Sequence, residues 1–152
     1  MKITSVEVFA GYGIVVKVNT DEGISGFGES GLAYGNSAEA AFSQCLDYGK
    51  LVIGMDPMNT EEIWNHLHRH TFWGMGGGAV EYGAISAIDI ACWDIKGKKF
   101  GVPVYQLLGG KTNDNLRTYA SQIQFGWGIA NNGETAGSVG LPGILRKPEE
   151  YY

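Results

Sequence analysis

The sequence predicts an α+β fold in which a three-stranded antiparallel sheet is followed by a bundle of helices. Three β-like segments separated by turn signals come before Ser30, and the apolar pattern changes to the 3.6-residue helical period after Asn36. Apolar residues make up 44% of the chain and charged residues 18%, which is a composition typical of a folded core. The 152 residues correspond to roughly one domain.

Short turns connect the three predicted strands. The strands cover Ile3–Phe9, Ile14–Val18 and Ile24–Glu29, and Gly11-Tyr12-Gly13 separates the first two. Gly23 ends the turn between the second and third strands, where its freedom to adopt a positive φ is needed. Because such short connections can only join neighbouring antiparallel strands, the sheet is predicted to be a meander.

Capping signatures predict where the first two helices begin. Asn36 is followed three residues later by Glu39, and Asn59 by Glu62, which is the spacing of a side-chain cap. Gly54 is placed to end the first helix. The predicted faces contain Ala38, Ala41, Phe42, Cys45, Leu46, Gly49, Val52 and Ile53 in the first helix, and Ile63, Leu67 and His70 in the second.

The third helix has the strongest pattern. Its predicted buried face runs from Ala84 to Ile95, lysines occupy its last turns, and Gly101 and Pro103 stop it. A short helical piece, Val104–Leu108, follows.

The sequence after Gly109-Gly110 predicts a further strand at Leu116–Gln124. Gly126–Gly143 is rich in glycine and asparagine, which is typical of a functional loop or of disorder. Pro148–Tyr152 is typical of the first turn of a helix, so we expect the sequence to be a fragment of a longer chain.

Charge and cysteine usage narrow the class of protein. The formal net charge of −5 argues against a nucleic-acid partner or an anionic membrane. The apolar runs are shorter than the ~20 residues that cross a bilayer, and the start resembles no secretory signal. Cys45 and Cys92 fall inside helical patterns, which predicts reduced core residues in a cytoplasmic protein.

Two glycine-rich segments resemble phosphate-binding loops. Gly26-Phe27-Gly28-Glu29-Ser30-Gly31 fits G-x-G-x-x-G, but a dinucleotide site needs a helix directly after the strand, so glycines packed closely against a helix are the favoured interpretation. Gly74–Gly78 precedes a helix and could form an anion nest, with an interhelical loop as the simpler alternative.

Histidines and aspartates offer no complete catalytic set. His66 and His70 would share a helix face at the spacing that zinc sites use, but no third ligand follows at metal-binding spacing. Asp89 and Asp94 lie in the third helix, where carboxylates most often serve as hydrogen-bonded structural partners. The residues by themselves therefore predict no particular reaction.

Five blocks taken together resemble the N-terminal capping domain of the enolase superfamily, especially the acid-sugar dehydratases of its mandelate racemase subgroup. These blocks are Met1–Val8, Val16–Glu29, Ile53–Pro57, Ala84–Lys98 and Gly101–Gly110. The resemblance implies a capping domain at residues 1–110. Residues 111–152 would then hold a linker, the first strand of a (β/α)7β barrel and the following loop, with the rest of the barrel absent.

The resemblance also implies the chemistry. In that family a lysine or histidine of the barrel removes the proton α to a carboxylate, and Mg²⁺ bound by three acidic residues stabilises the product anion. All of these residues would lie beyond Tyr152. The resemblance therefore implies that this chain contains no catalytic and no metal-binding residue and would be inactive alone. It also implies that the complete enzyme is a homo-oligomer that acts on a small carboxylate such as a sugar acid.

Two loops of the cap would set substrate specificity, and they match Ala10–Gly13 and Gly31–Asn36. Tyr12 and Tyr34 in these loops, and Ser121 at the end of the first barrel strand, are the predicted substrate contacts. Tyr34 could instead pack on the cap, and Ser121 could fill the barrel interior. A non-catalytic α+β binding or assembly module is the alternative function, and nucleotide binding is a third.

Overall fold

A computed structural model describes residues 1–11, 13–31 and 38–118 of the chain. It contains strands β1 (Ile3–Ala10), β2 (Ile14–Thr20) and β3 (Ser25–Ser30). These form one antiparallel sheet in the order β1-β2-β3. Gly23 has a φ of +76°, as the turn prediction requires. The predicted meander is confirmed.

Four helices follow the sheet in the described part of the chain: α1 (Ala38–Leu51), α2 (Thr60–Arg69), α3 (Ala79–Phe100) and α4 (Val104–Leu107). The fold class predicted from the sequence is therefore confirmed. Gly101 ends α3 with a φ of +67°, and the N–H of Val102 donates to the carbonyl of Gly97 at 2.9 Å. This is the glycine-terminated helix end that the sequence predicts.

One core fills the space between the sheet and the helices. Strand β2 alternates strictly, so that Ile14, Val16 and Val18 point into the core while Lys17 and Asn19 do not. The core also contains Ile3 of β1 and Val52, which directly follows α1. The helices contribute the remaining core side chains, which are Ala41, Cys45, Tyr48, Ile63, Leu67, Ala84, Ile85, Ala87, Ile88, Ala91, Cys92 and Ile95.

Strand β3 packs against α3 through glycine. A Cβ atom at Gly26 would lie well under 3.0 Å from the carbonyl oxygen of Ala91, and one at Gly28 equally close to that of Ala87. Real Cβ atoms do not approach backbone this closely, so the helix lies directly on the strand. The interpretation of these glycines as close-packing residues is confirmed. The space that a phosphate would need beside Gly26 and Gly28 is filled by helix backbone.

The outer edge of β3 is closed by two charged residues of α3. The backbone N–H of Phe27 donates to Oδ2 of Asp94 at 2.9 Å. Lys98 Nζ donates to the carbonyl of Ser25 at 2.8 Å and to Oδ2 of Asp94 at 2.7 Å. These bonds satisfy edge groups that could otherwise pair with another chain. The structural role predicted for Asp94 is confirmed.

Two details of α2 differ from the sequence predictions. Asn59 precedes α2, but its side chain makes no capping bond to the backbone and instead donates to Glu62 Oε2 at 3.0 Å. Helix α2 ends at Arg69, so His70 is an exposed cap residue and not part of the helix. Just after the helix, the Thr71 hydroxyl donates to the Leu67 carbonyl at 2.7 Å.

The strand predicted at Leu116–Gln124 is described only at its start. Leu116, Arg117 and Thr118 are exposed and lie in no strand of the described residues, and the strand as a whole stays a prediction. A strand needs a neighbour to satisfy its backbone groups, and β1–β3 are the strands of the described chain. Residues 119–124, the loop at 126–143 and the helix start at 148–152 lie outside the described residues.

Among the described residues, no helix combines the length and the apolar character needed to cross a membrane.

Candidate functional site

The register of the sheet brings the two predicted specificity loops to one end. Ala10 pairs with Ile14, and Ile14 pairs with Ser30. The turn between β1 and β2 therefore leaves the sheet beside the point where β3 ends and the chain enters the segment after Gly31. We call this edge, formed by Ala10, Gly11, Gly13, Ser30 and Gly31, the loop end of the sheet.

The long helices begin near the loop end. Helix α3 runs antiparallel to β3, since Gly26 approaches Ala91 whereas Gly28 approaches Ala87. Helix α1 runs toward the start of β1, because Gly49 packs on Val6 and the N–H of Gly54 donates to the carbonyl of Ile3 at 2.8 Å. Both helix N-termini thus face the same side of the domain as the loops, and each first turn carries a glutamate that suits the helix dipole.

The predicted substrate contacts themselves are not placed. Tyr12, Tyr34 and Ser121 all lie outside the described residues, and so do most of the loop Gly31–Asn36 and its predicted cap, Asn36. The structure describes only the anchors of the two loops. The three contacts remain predictions.

Glu29 contributes an exposed carboxylate at the loop end. A Cβ atom at Gly13 would lie well under 3.0 Å from Oε1 of Glu29, so the carboxylate occupies the space that a side chain at residue 13 would take. The turn beneath it is tight, because the N–H of Gly11 donates to the carbonyl of Gly13 at 3.0 Å.

Ser30 is the last residue of β3, and it is completely buried. It follows Gly26 and Gly28 on the face that packs against α3. Its hydroxyl has no hydrogen-bond partner among the described residues, in contrast to the buried Thr20, whose hydroxyl donates to the Ile24 carbonyl at 2.7 Å. A buried hydroxyl without a partner is uncommon, because its desolvation is not compensated.

The histidines serve packing in the described structure. The ring of His66, in the last turns of α2, lies 5.5 Å from the ring of His70, the residue that follows the helix. His68 stacks on Trp64 at 4.4 Å and lies 3.3 Å from the Tyr82 hydroxyl. Across residues 1–11, 13–31 and 38–118, no group of three His, Cys, Asp or Glu side chains is arranged to hold a metal ion.

The glycine loop before α3 joins two helices, as the simpler interpretation has it. A Cβ atom at Gly74 would collide with the His68 carbonyl and the Thr71 hydroxyl, and Gly78 has a φ of +76°. These glycines are therefore used for packing and backbone geometry. The aromatic residues in this loop are exposed, with Phe72 and Trp73 in edge-to-face contact at 4.7 Å.

Sequence reasoning missed a polar contact between α1 and α3. The Tyr48 hydroxyl donates to Glu81 and lies 3.4 Å from the Thr71 hydroxyl. Burial raises the pKa of Tyr48, and the bond to Glu81 raises it further. The signal was available, since Tyr48 lies three residues after Cys45 and four before Val52, on the predicted buried face.

The cysteines are core residues. Cys45 and Cys92 are buried and unbonded to each other, as predicted. Burial raises the pKa of Cys45 to about 11 and that of Cys92 to about 12. Such thiols are protonated at neutral pH and are poor nucleophiles.

Asp89 has a perturbed carboxyl group. Burial, followed by the charge of Glu61, raises its pKa. It faces Glu61 of α2 and not the loop end.

Comparisons with known proteins agree with this geometry. The family described as "Mandelate racemase / muconate lactonizing enzyme, N-terminal domain" matches residues 2–109. D-galactonate dehydratase from Variovorax paradoxus is 42% identical over 123 residues, which cover 79% of this chain and 31% of that protein.

Solved structures give the same result. A member of the enolase superfamily from Salmonella Typhimurium is 55% identical, with a TM-score of 0.78 over 88% of this chain and 35% of that one. An enolase from Agrobacterium radiobacter, named as a candidate galactarate dehydratase and solved with bound sodium and L-malate, is 31% identical. Its TM-score is 0.65, over 75% of this chain and 29% of that one. The chain thus spans about a third of the length of the relatives it matches.

Proposed function

This chain belongs to the mandelate racemase/muconate lactonizing enzyme family as its N-terminal domain, and on that premise we propose that it forms the specificity cap of an acid-sugar dehydratase. The observation that carries the proposal is the arrangement of the loop end, where Ala10, Ile14 and Ser30 pair in one row. Two loops anchored side by side can close over one substrate. The similarity to D-galactonate dehydratase favours dehydration of a sugar acid over racemisation.

The cap occupies residues 1–110 in this proposal, and residues 111–152 lead into the barrel that bears the reacting groups. Proton abstraction α to a carboxylate produces a poorly stabilised anion, so the reaction depends on a site that excludes water and is electrostatically preorganised. The cap supplies the closure. Tyr12 and Tyr34 contact the substrate from the cap loops, and Ser121 contacts its carboxylate from the barrel side.

Enolase-superfamily enzymes use Mg²⁺, but the described residues do not fit that role. None of their acidic or histidine side chains forms a three-ligand group. We therefore place the Mg²⁺ in the barrel and derive no step through it from this chain. A homo-oligomeric enzyme is part of the same proposal.

A fusion enzyme tests the function. The full chain is joined at Tyr152 to the barrel of the Variovorax paradoxus enzyme, in place of that enzyme's own first third. We expect Mg²⁺-dependent conversion of D-galactonate to the 2-keto-3-deoxy acid, within about tenfold of the parent rate. The controls are the parent enzyme and its barrel without a cap.

A fusion protein with parent-like circular dichroism and thermal unfolding but no turnover would contradict the proposal. It would instead favour a non-catalytic binding or assembly module.

A further inference from the structure

We propose that Glu29 is a specificity residue whose carboxylate accepts hydrogen bonds from hydroxyl groups of the sugar acid. The inference rests on the proposed function, and it adds a contact outside the three predicted ones. It follows from the position of one side chain relative to Gly13, from a comparison with a second glutamate on the same sheet face, and from the sign of the charge.

Gly13 makes room for the carboxylate at the loop end. The space that a Cβ atom of residue 13 would fill is taken by Oε1 of Glu29, with the carboxyl carbon 3.1 Å from that position. Within residues 1–11, 13–31 and 38–118, no atom lies within 4 Å of the corresponding positions at Gly11 and Gly31. The carboxylate thus lies over the first specificity loop, on the residue that directly precedes Ser30 and the second loop.

Glu7 shows what an engaged carboxylate on this sheet face looks like. Its Oε1 accepts from Asn19 Nδ2 at 2.6 Å and from Lys17 Nζ at 3.2 Å. These bonds hold the pKa of Glu7 below its usual value. Glu29, on the same exposed face, has no ion-pair partner within residues 1–11, 13–31 and 38–118. One glutamate stabilises the sheet, and the other presents its acceptors at the loop end.

The negative charge determines which part of the substrate Glu29 can meet. A carboxylate repels the carboxylate of a sugar acid, but it is a strong acceptor for hydroxyl donors. Glu29 therefore contacts the hydroxylated tail, while the substrate carboxylate faces away from the cap. This selects polyhydroxylated acids over acids with an apolar tail.

Steady-state kinetics of the fusion enzyme test the inference. The substrates are D-galactonate and analogues that each lack one hydroxyl distant from the carboxylate. We expect Glu29→Ala to raise KM for D-galactonate by about 10- to 100-fold with little change in kcat, the range for a lost charged hydrogen bond. For the analogue that lacks the partner hydroxyl, the same substitution has no effect on KM. Glu29→Gln, which keeps one acceptor, restores part of the affinity.

Two further variants sharpen the result. Gly13→Ala places a methyl group where the carboxylate lies and should raise KM as Glu29→Ala does, without adding to it in the double variant. Glu7→Gln leaves KM unchanged. If Glu29→Ala leaves KM unchanged in an active fusion enzyme, or raises it equally for every analogue, the inference is wrong although the proposed function stands. An unsubstituted fusion enzyme that folds but is inactive overturns both.

Discussion

The α3–β3 interface and the loop end of the sheet are neighbours on one strand, yet they use glycine in opposite ways. At Gly26 and Gly28, helix backbone occupies the space of a side chain. At Gly11 and Gly31, no atom of the described residues lies within 4 Å of that space. The interface permits one packing, whereas at the loop end the space is filled at Gly13, by the Glu29 side chain, and open at Gly11 and Gly31. We therefore expect side-chain changes at Gly11 and Gly31 to alter the fold less than changes at Gly26 and Gly28.

The largest expected effect comes from adding one methyl group to the interface. Gly28→Ala places a Cβ atom against the carbonyl of Ala87, and because backbone cannot move aside cheaply, we expect a loss of about 3 kcal/mol in the free energy of unfolding. Urea denaturation measures it. The matched control is Gly31→Ala at the loop end, with an expected change within about 0.5 kcal/mol. Equal losses of unfolding free energy for Gly28→Ala and Gly31→Ala would contradict the difference between the interface and the loop end.

The edge of β3 gives the next largest effect. Asp94→Ala removes the acceptor of the Phe27 N–H and the partner of Lys98, and should cost about 1–2 kcal/mol in unfolding free energy. The control is Asp47→Ala, which removes an exposed ion pair between Asp47 and Lys50 at 2.8 Å. This substitution should cost less than about 0.5 kcal/mol in unfolding free energy. A loss no larger than the control would mean that the edge is not closed by Asp94.

We expect Asp89, on the face of α3 that packs against α2, to make the unfolding free energy depend on pH. The pKa of Asp89 is raised in the folded state by burial and by Glu61, so its ionisation opposes folding. The stability that protonated Asp89 contributes to the wild type is therefore present at low pH and is lost as pH rises through the folded-state pKa. The unfolding free energy of the wild type minus that of Asp89→Asn should fall as pH rises from ~3 to ~7. A difference that increases with pH would contradict the assignment.

The smallest effect is expected at Ser30, where the interface meets the loop end. Its buried hydroxyl has no partner in the part of the chain that the structure describes, so Ser30→Ala should change the unfolding free energy by less than about 0.5 kcal/mol or stabilise the protein slightly. Thr20→Val, which removes a hydroxyl bonded to the Ile24 carbonyl, should cost about 1 kcal/mol. A loss at Ser30 as large as at Thr20 would show that the hydroxyl is engaged.

The sequence predicts the interior of this domain better than its functional edge. The two glycines of β3 could be assigned to close packing because no helix follows them directly, and periodicity placed Ile88, Ala91 and Ile95 on the buried face of α3. Local patterns carry that information. The predicted Asn59 cap was wrong in its bonding, because the Asn59 Nδ2 donates to Glu62 and the side chain makes no bond to the helix backbone.

Contacts between distant parts of the chain were harder to predict. The Asp94 bond to Phe27 joins residues far apart in sequence, and no periodicity encodes it. Glu29 looks like any exposed strand residue until the register places it over Gly13. Tyr12, Tyr34 and Ser121 rest on the family resemblance and remain predictions.

The central claim is that this chain is a cap that depends on a separate barrel for metal and catalysis. Isothermal titration of the 152-residue chain with Mg²⁺, followed by an assay with D-galactonate, tests it most directly. We expect neither stoichiometric Mg²⁺ binding nor turnover. Binding of one Mg²⁺ per chain together with dehydration of the sugar acid would contradict it.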